Sequence, residues 1–316
     1  MKLIPAFFRL IRWPNIVFIA LTQFLFYYCI IVPALPAAYY EQANALTPRL
    51  FVLLVTASVL IAAAGYIIND YFDINIDQVN KPDKMIVQKI INRRWAIFLH
   101  LALTFTGLVL STWVALQTTL FIILANIICA LLLWVYSTTF KKKLLSGNII
   151  ISALTAWTVL VLYFATNTSL SLGITDNNVS GGMHTIYKFA ALYAGFAFII
   201  SLIREVVKDI EDMEGDARYN CKTMPIVWGV PAAKVFVGVW LVVLTGALIV
   251  VQFYVLQIGW WLSALYVLLL VIAPLVYTLK KFYQAQTPAH YHQVSNLVKL
   301  VMLTGICSIV MIKFYA

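Results

Sequence analysis

Nine long apolar runs divide the chain, near residues 15–35, 48–69, 94–115, 118–138, 147–167, 185–206, 233–253, 257–279 and 294–312. Each meets the roughly 20 residues that a helix needs to cross a bilayer. The pattern predicts nine transmembrane helices joined by short polar segments. Composition agrees: 63% of residues are hydrophobic and only 11% charged, against about 25% charged in an ordinary soluble domain. The expected class is all-α, a polytopic membrane protein whose residues 1–316 form a single domain.

Charge adds a direction. With the N-terminus placed in the cytoplasm, the inward-facing segments hold every one of the 22 Lys and Arg residues except Arg49, Lys188, Lys299 and Lys313. Positive residues collect on the inner side of membrane proteins, so an inward N-terminus is expected. Lys2, Arg9 and Arg12 form a basic amphipathic lead into the first span, without a separate signal peptide. The net charge of +10 does not point to nucleic acid, because the basic residues fall between apolar runs and form no single stripe.

The acids are just as unevenly placed. Of twelve, only Glu41 and Asp176 fall on the outer side. The rest follow the second and sixth spans, four spans apart. That spacing suggests two four-helix repeats, about 15–138 and 147–279, with a ninth helix added.

Both clusters keep a helical period. Asn69, Asp73 and Asp77 drift only about 80° around a helix, and Asp70 and Asp77 are nearly eclipsed. In the stretch REVVKDIEDMEGD, on a continuing helix, Glu205, Asp209, Asp212 and Asp216 fall within an arc of about 60°. An aspartate at the centre of a membrane helix costs about 3 kcal/mol, and a column of carboxylates also repels itself. Loop acids salt-bridged to neighbouring bases have no reason to hold this period. The donor set contains only oxygen, which suits a hard cation, Mg²⁺ above all, held by a few carboxylates and substrate phosphates. Two facing columns would hold such ions around a diphosphate and neutralise charge as it departs.

The stretches that carry this chemistry also carry a resemblance. NDYFDINID followed by NKPDK, and the distal KDIEDMEGD with KTMP, resemble the two aspartate-rich signatures of the UbiA superfamily of intramembrane prenyltransferases. WVYSTTFKKKLLSGN (134–148) and IRWPN near the N-terminus are similar to further stretches of that family. The resemblance covers most of the chain. It implies a helical bundle around a central cavity, capped by acidic loops on the cytoplasmic side. Mg²⁺ would hold the head of a polyprenyl diphosphate; loss of diphosphate leaves an allylic cation for the acceptor to attack.

Carried over by position, Asn69, Asp73 and Asp77 would bind the first metal region, with Asp70 as a helper. Asp209, Asp212 and Asp216 would bind the second. Asp73, Asp77, Asp212, Asp216, Lys141 and Tyr136 form the expected catalytic set, Lys141 and Tyr136 contacting diphosphate or steadying the cation. Asn69, Lys81, Lys84, Lys141, Arg204 and Lys208 are expected at the diphosphate, the last two alternatively at an anionic acceptor. Where many members of the family have Arg and Pro, this chain has Lys84 and Met85, and the distal Thr-Leu-Pro is Thr223-Met224-Pro225.

The distal run KDIEDMEGD with KTMPIVWG resembles most the branch of the family that makes ether lipids. This implies transfer of a geranylgeranyl group to the hydroxyl of geranylgeranylglyceryl phosphate. The alternative within the family is prenylation of a quinone, tocopherol or chlorophyll-type precursor. The alternatives outside it are an ion-coupled transporter, which would place its acids at the bilayer midplane, and a non-catalytic assembly partner with a relict site. The expected partners are a prenyl diphosphate, a lipophilic acceptor and membrane lipid, with no nucleic acid and no obligate protein. Cys29, Cys129, Cys221 and Cys307 outline neither a disulfide nor a zinc framework. Tyr27, Tyr28, Trp260 and Trp261 are expected in interfacial belts and packing.

Overall fold

The computed structural model describes residues 3–41, 44–166 and 177–315; Lys2 and Asp176 lie outside them. The described residues are helical throughout apart from turns and one isolated bridge. In chain order, a short surface helix α1 (Leu3–Leu10) leads into α2 (Trp13–Ala34), α3 (Pro48–Phe72), α4 (Ile74–Asn80), α5 (Arg93–Gln117) and α6 (Phe121–Thr138). There follow α7 (Ser146–Thr166), α8 (Asn177–Glu211), α9 (Met213–Arg218), α10 (Gly229–Gln257), α11 (Trp261–Gln284) and α12 (Pro288–Lys313). Nine of these, all except α1, α4 and α9, are long and apolar enough to cross a membrane, among the described residues. They match the nine runs read from the sequence. The sixth runs on to Glu211, so Glu205, Asp209 and Glu211 stand on a span and not in a loop.

The chain forms two compact units: residues 1–140 with 157–191, and residues 141–156 with 192–316. In the first, α3 is the most enclosed span, packed on both α5 and α6. Small residues permit the approach. A Cβ placed on Gly107 of α5 would lie 2.9 Å from Ile61 Cγ1 and 3.3 Å from the Ala57 carbonyl oxygen of α3. A Cβ on Gly65 of α3 would meet Leu133 of α6 at 2.9 Å. Without a hydrophobic drive between helices in lipid, such close packing is a main source of association. Near the connection of α2 to α3, Tyr27 is fully buried and stacks on Phe51 with ring centroids 3.9 Å apart. It therefore packs the core, whereas Tyr28 and Trp261 are exposed as belt residues would be. The Tyr39 hydroxyl donates to the Thr166 carbonyl at 2.8 Å, and burial pushes its pKa up to about 12. Around the junction of α3 and α4, Ala6, Leu10, Ile67, Ile74, Ile86, Val87 and Ile91 close an apolar floor that packs α1 and the 86–91 loop against α3 and α4.

In the second unit, Ile203, Val206, Val207 and Ile210 of α8 share a core with Val237 and Leu241 of α10, Leu275 of α11 and Val294, Val298 and Val301 of α12. These α8 positions occupy one face. Ser201, Arg204, Glu205, Lys208, Asp209 and Asp212 fall on the opposite arc, about 140° wide. Helix α8 is thus amphipathic inside a membrane protein, and its polar stripe needs partners other than lipid.

Candidate active site

The first acidic motif sits where α3 gives way to α4. Helix α3 ends at Phe72, and Asp73 takes φ −88°, ψ −2°, at the edge of the right-handed helical region. The backbone ladder nonetheless continues: Asp73 N–H donates to Asn69 O at 3.0 Å and Asp77 N–H to Asp73 O at 2.8 Å. The break is therefore a kink, and Asn69, Asp73 and Asp77 still follow one another along the chain at helical spacing. An aspartate at a helix start commonly caps it, but the Asp73 side chain makes no capping bond. Its carboxylate is instead oriented by a neighbour: Asn69 Nδ2 donates to Asp73 Oδ2 at 2.7 Å. Both residues are buried, Asp73 at 4% exposure. Asn69 Oδ1 is buried with no hydrogen-bond partner among the described residues. A buried carbonyl oxygen left without a donor is costly; a cation beside the Asp73 carboxylate would satisfy it.

Asp70 behaves differently. Arg12 Nη2 donates to its Oδ1 at 2.8 Å, and the guanidinium lies over the Tyr66 ring, 5.1 Å from the centroid. Burial works against the charge on Arg12, but Asp70, with Tyr66 and Asp73, more than offsets it and raises the pKa. Arg12 adopts φ 51°, ψ 55°, a left-handed conformation uncommon for a residue with a side chain. It makes the corner between surface helix α1 and span α2 while its side chain clasps the end of α3. Downstream, half-buried Asp77 lies in the first turn of α4 and Lys81 closes that helix. Lys84 ends the short turn Pro82–Lys84; its side chain lies outside the described residues.

The second motif repeats this construction at the end of α8. The helix stops at Glu211, and Asp212 takes φ −95°, ψ 6°, again with no capping bond from its side chain. Asp212 N–H donates to Lys208 O at 2.8 Å and Asp216 N–H to Asp212 O at 3.2 Å, so the ladder again crosses the break. An asparagine again holds a carboxylate: Asn148 Nδ2, near the start of α7, donates to Asp209 Oδ2 at 2.8 Å. Asp216 is buried at 6% exposure, and the Cys221 amide donates to its carbonyl at 3.0 Å. Glu205 is matched with Arg204 and Lys208 and Glu214 with Arg218, while Glu211 Oε1 lies 2.9 Å from His292 Nδ1.

Of the remaining predicted residues, Tyr136 is half-buried near the end of α6 in the first unit. Lys141, also half-buried, lies on the turn Phe140–Lys142 that opens the second unit, and Lys222 N–H donates to Lys142 O at 2.8 Å. The structure thus gathers Asn69, Asp70, Asp73 and Asp77 in one unit and Arg204, Lys208, Asp209, Asp212 and Asp216 in the other. Three partners were not foreseen: Arg12, Asn148 and His292. Asn148 stood within a recognised stretch without a role, while Arg12 and His292 lie 58 and 81 positions from their acids.

Among the described residues, no group of three or more His, Cys, Asp or Glu side chains is placed to hold a metal by itself. Mg²⁺ does not require one, since it keeps several waters and takes one or two carboxylates together with substrate phosphates. Amide-held carboxylates and the orphaned Asn69 Oδ1 fit that donor set.

Comparison with known proteins agrees. The UbiA prenyltransferase family model matches residues 30–299. The digeranylgeranylglyceryl phosphate synthase of Methanosphaera stadtmanae is 28% identical over 263 residues, 82% of this chain and 87% of that protein. The enzyme of the same name from Methanothermobacter thermautotrophicus is 32% identical over 255 residues, 79% of this chain and 81% of that one. A UbiA homologue from Archaeoglobus fulgidus, solved bound to GPP and Mg²⁺, shares the fold with a TM-score of 0.58 at 17% identity, over 96% of this chain and 99% of that one. A match of this extent sets aside the transporter reading: the chain is an integral membrane protein that belongs to the UbiA prenyltransferase family.

Proposed function

We propose that the protein transfers a geranylgeranyl group from its diphosphate to the free hydroxyl of geranylgeranylglyceryl phosphate, in Mg²⁺-dependent ether-lipid synthesis at the cytoplasmic face. The observation that carries this reading is the repeated motif end, a span broken at an aspartate whose side chain is not used for capping, with an asparagine-held carboxylate close by. Asn69, Asp73 and Asp77, with Asp209, Asp212 and Asp216, are the proposed Mg²⁺ ligands. The names of the two curated relatives and the GPP and Mg²⁺ in the A. fulgidus homologue support the substrate and the metal.

Bound Mg²⁺ supplies positive charge to the departing diphosphate, whose negative charge grows as the carbon–oxygen bond breaks. The residues of this chain do the rest. Asn69 and Asn148 orient the carboxylates of Asp73 and Asp209 through amide donors. Arg12 neutralises Asp70, so the proposed role of Asp70 becomes positioning: it ties the end of α3 to the α1–α2 corner. Lys81, Lys84 and Lys141 are proposed to hold diphosphate oxygens, and Tyr136 to face the allylic cation.

The test offers purified protein geranylgeranyl diphosphate, Mg²⁺ and a panel of acceptors, and identifies products by mass. The expected product is the digeranylgeranylglyceryl phosphate. Turnover confined to aromatic acceptors overturns the ether-lipid reading and leaves the prenyltransferase intact.

A further inference from the structure

Arg204 stands apart from the other basic residues of the inner face. It lies on span α8, and its side chain and that of Glu205 are each only 13% exposed. Arg204 Nη1 donates to Glu205 Oε1 at 3.1 Å, and the same carboxylate oxygen lies 3.7 Å from Lys208 Nζ. One carboxylate is thus shared between two cations. The Arg204 Nε–H is buried and has no hydrogen-bond partner among the described residues. A buried guanidinium donor without an acceptor costs free energy, and in a membrane span an ionisable group marks a functional position by default.

The surroundings say where an acceptor would come from. Arg204, Lys208 and Asp212 follow one another at i, i+4 and i+8 on the polar stripe of α8, and the Asp212 N–H to Lys208 O bond keeps that register across the helix end. The other flank of the stripe is already tied down. Ser201 Oγ lies 3.2 Å from Thr155 Oγ1, and Asp209 accepts from Asn148 of α7. The opposite face is packed into the core by Ile203, Val206, Val207 and Ile210. Arg204 is about 12 Å up the helix from Asp212, next to Glu205 on the same span. The acceptor of the ether-lipid reading is an amphiphile with an anionic headgroup. Its nucleophilic oxygen must then reach the carbon beside the diphosphate.

We propose that Arg204, assisted by Lys208, binds the phosphate of the acceptor and so determines specificity for a phosphorylated glyceryl ether over the corresponding alcohol. This rests on the ether-lipid reading above and moves Arg204 from the diphosphate to the second substrate. The guanidinium fork offers parallel N–H donors that match phosphate oxygens, which a lysine ammonium does not reproduce.

The experiment compares wild type, Arg204→Lys and Arg204→Gln in lipid nanodiscs with Mg²⁺ and geranylgeranyl diphosphate. Each is offered geranylgeranylglyceryl phosphate or its dephosphorylated alcohol. Wild type is expected to prefer the phosphorylated acceptor by about 10- to 100-fold in kcat/KM, the worth of charge-assisted hydrogen bonds. Both variants are expected to lose most of that preference through a raised KM for the phosphorylated acceptor, with the smaller change in KM for the prenyl diphosphate. A preference retained in both variants, or a rise chiefly in KM for the prenyl diphosphate, overturns the proposal. Equilibrium binding of the same two acceptors, without Mg²⁺ or prenyl diphosphate, reads the subsite independently of turnover. Absence of diphosphate release from wild type would count against the function; equal affinity for the two acceptors would count against Arg204. Melting temperature and elution volume establish that the variants are folded.

Discussion

At the scale of single residues, amide donors hold the carboxylates of Asp73 and Asp209, while Asp70, Glu205 and Glu214 pair with Arg or Lys and Glu211 pairs with His292. An amide donor fixes the direction in which a carboxylate presents its oxygens. Removing the amide should therefore weaken metal binding before it harms chemistry. Asn69→Ala and Asn148→Ala are expected to raise the Mg²⁺ concentration for half-maximal activity by about 10- to 100-fold, as loss of outer-shell partners does elsewhere. Titration of activity with Mg²⁺ checks this, and unchanged Mg²⁺ dependence in both would remove the asparagines from the site. Asp73→Asn and Asp212→Asn should lower kcat by more than about 100-fold in folded protein, the scale of lost electrostatic stabilisation. The acids could be read from the chain because they keep a helical period. Their asparagine and arginine partners could not all be read, because Arg12 and Asn148 reach them across 58 and 61 positions of sequence.

At the scale of elements, apolar run length located all nine spans to within a few residues at most ends, because each must be long enough to cross lipid. Two features escaped that pattern. The helix breaks at Asp73 and Asp212 leave the i to i−4 ladder intact, so no change of period announces them. The polar stripe of α8 continues inside a span, where length alone placed a boundary five residues early. Packing between spans can be tested at Gly107. Gly107→Leu forces branched carbons against Ile61 and the Ala57 carbonyl. Overpacking of this kind costs about 1–3 kcal/mol, so the mutant should melt at a lower temperature in detergent; an unchanged melting temperature would show that α3 and α5 yield there. The connection between α2 and α3 gives a pH prediction. The pKa of Tyr39 is raised from its usual value near 10 to about 12 by burial. Its stabilising bond to Thr166 is thus fully present below pH 10 and is lost as pH rises towards 12. Melting temperature should fall across that window, and Tyr39→Phe should flatten part of the fall; an identical pH profile in the mutant would contradict this.

At the scale of the whole molecule, the chain is a family member with nine candidate spans among the described residues, and its two acidic motifs belong to separate compact units. We propose that residues of about 15–138 and 147–279 descend from an internal duplication, with the asparagine-held carboxylates and aspartate breaks as its trace. We propose from the distribution of Lys and Arg that both motifs face inward, and cysteine labelling in sealed vesicles tests it. Single cysteines introduced at Glu214 and Arg218 should react only with reagent on the cytoplasmic side; reaction from the outside would invert the topology. The central claim is that these carboxylates hold Mg²⁺ and, with it, the diphosphate of a prenyl substrate. The most direct measurement is diphosphate release by purified protein given geranylgeranyl diphosphate and a glyceryl phosphate ether, first with chelator and then with Mg²⁺ restored. The account predicts release that stops with the chelator, returns with Mg²⁺, and is absent throughout in Asp73→Asn. Release at the same rate in chelator, or in that variant, would contradict it.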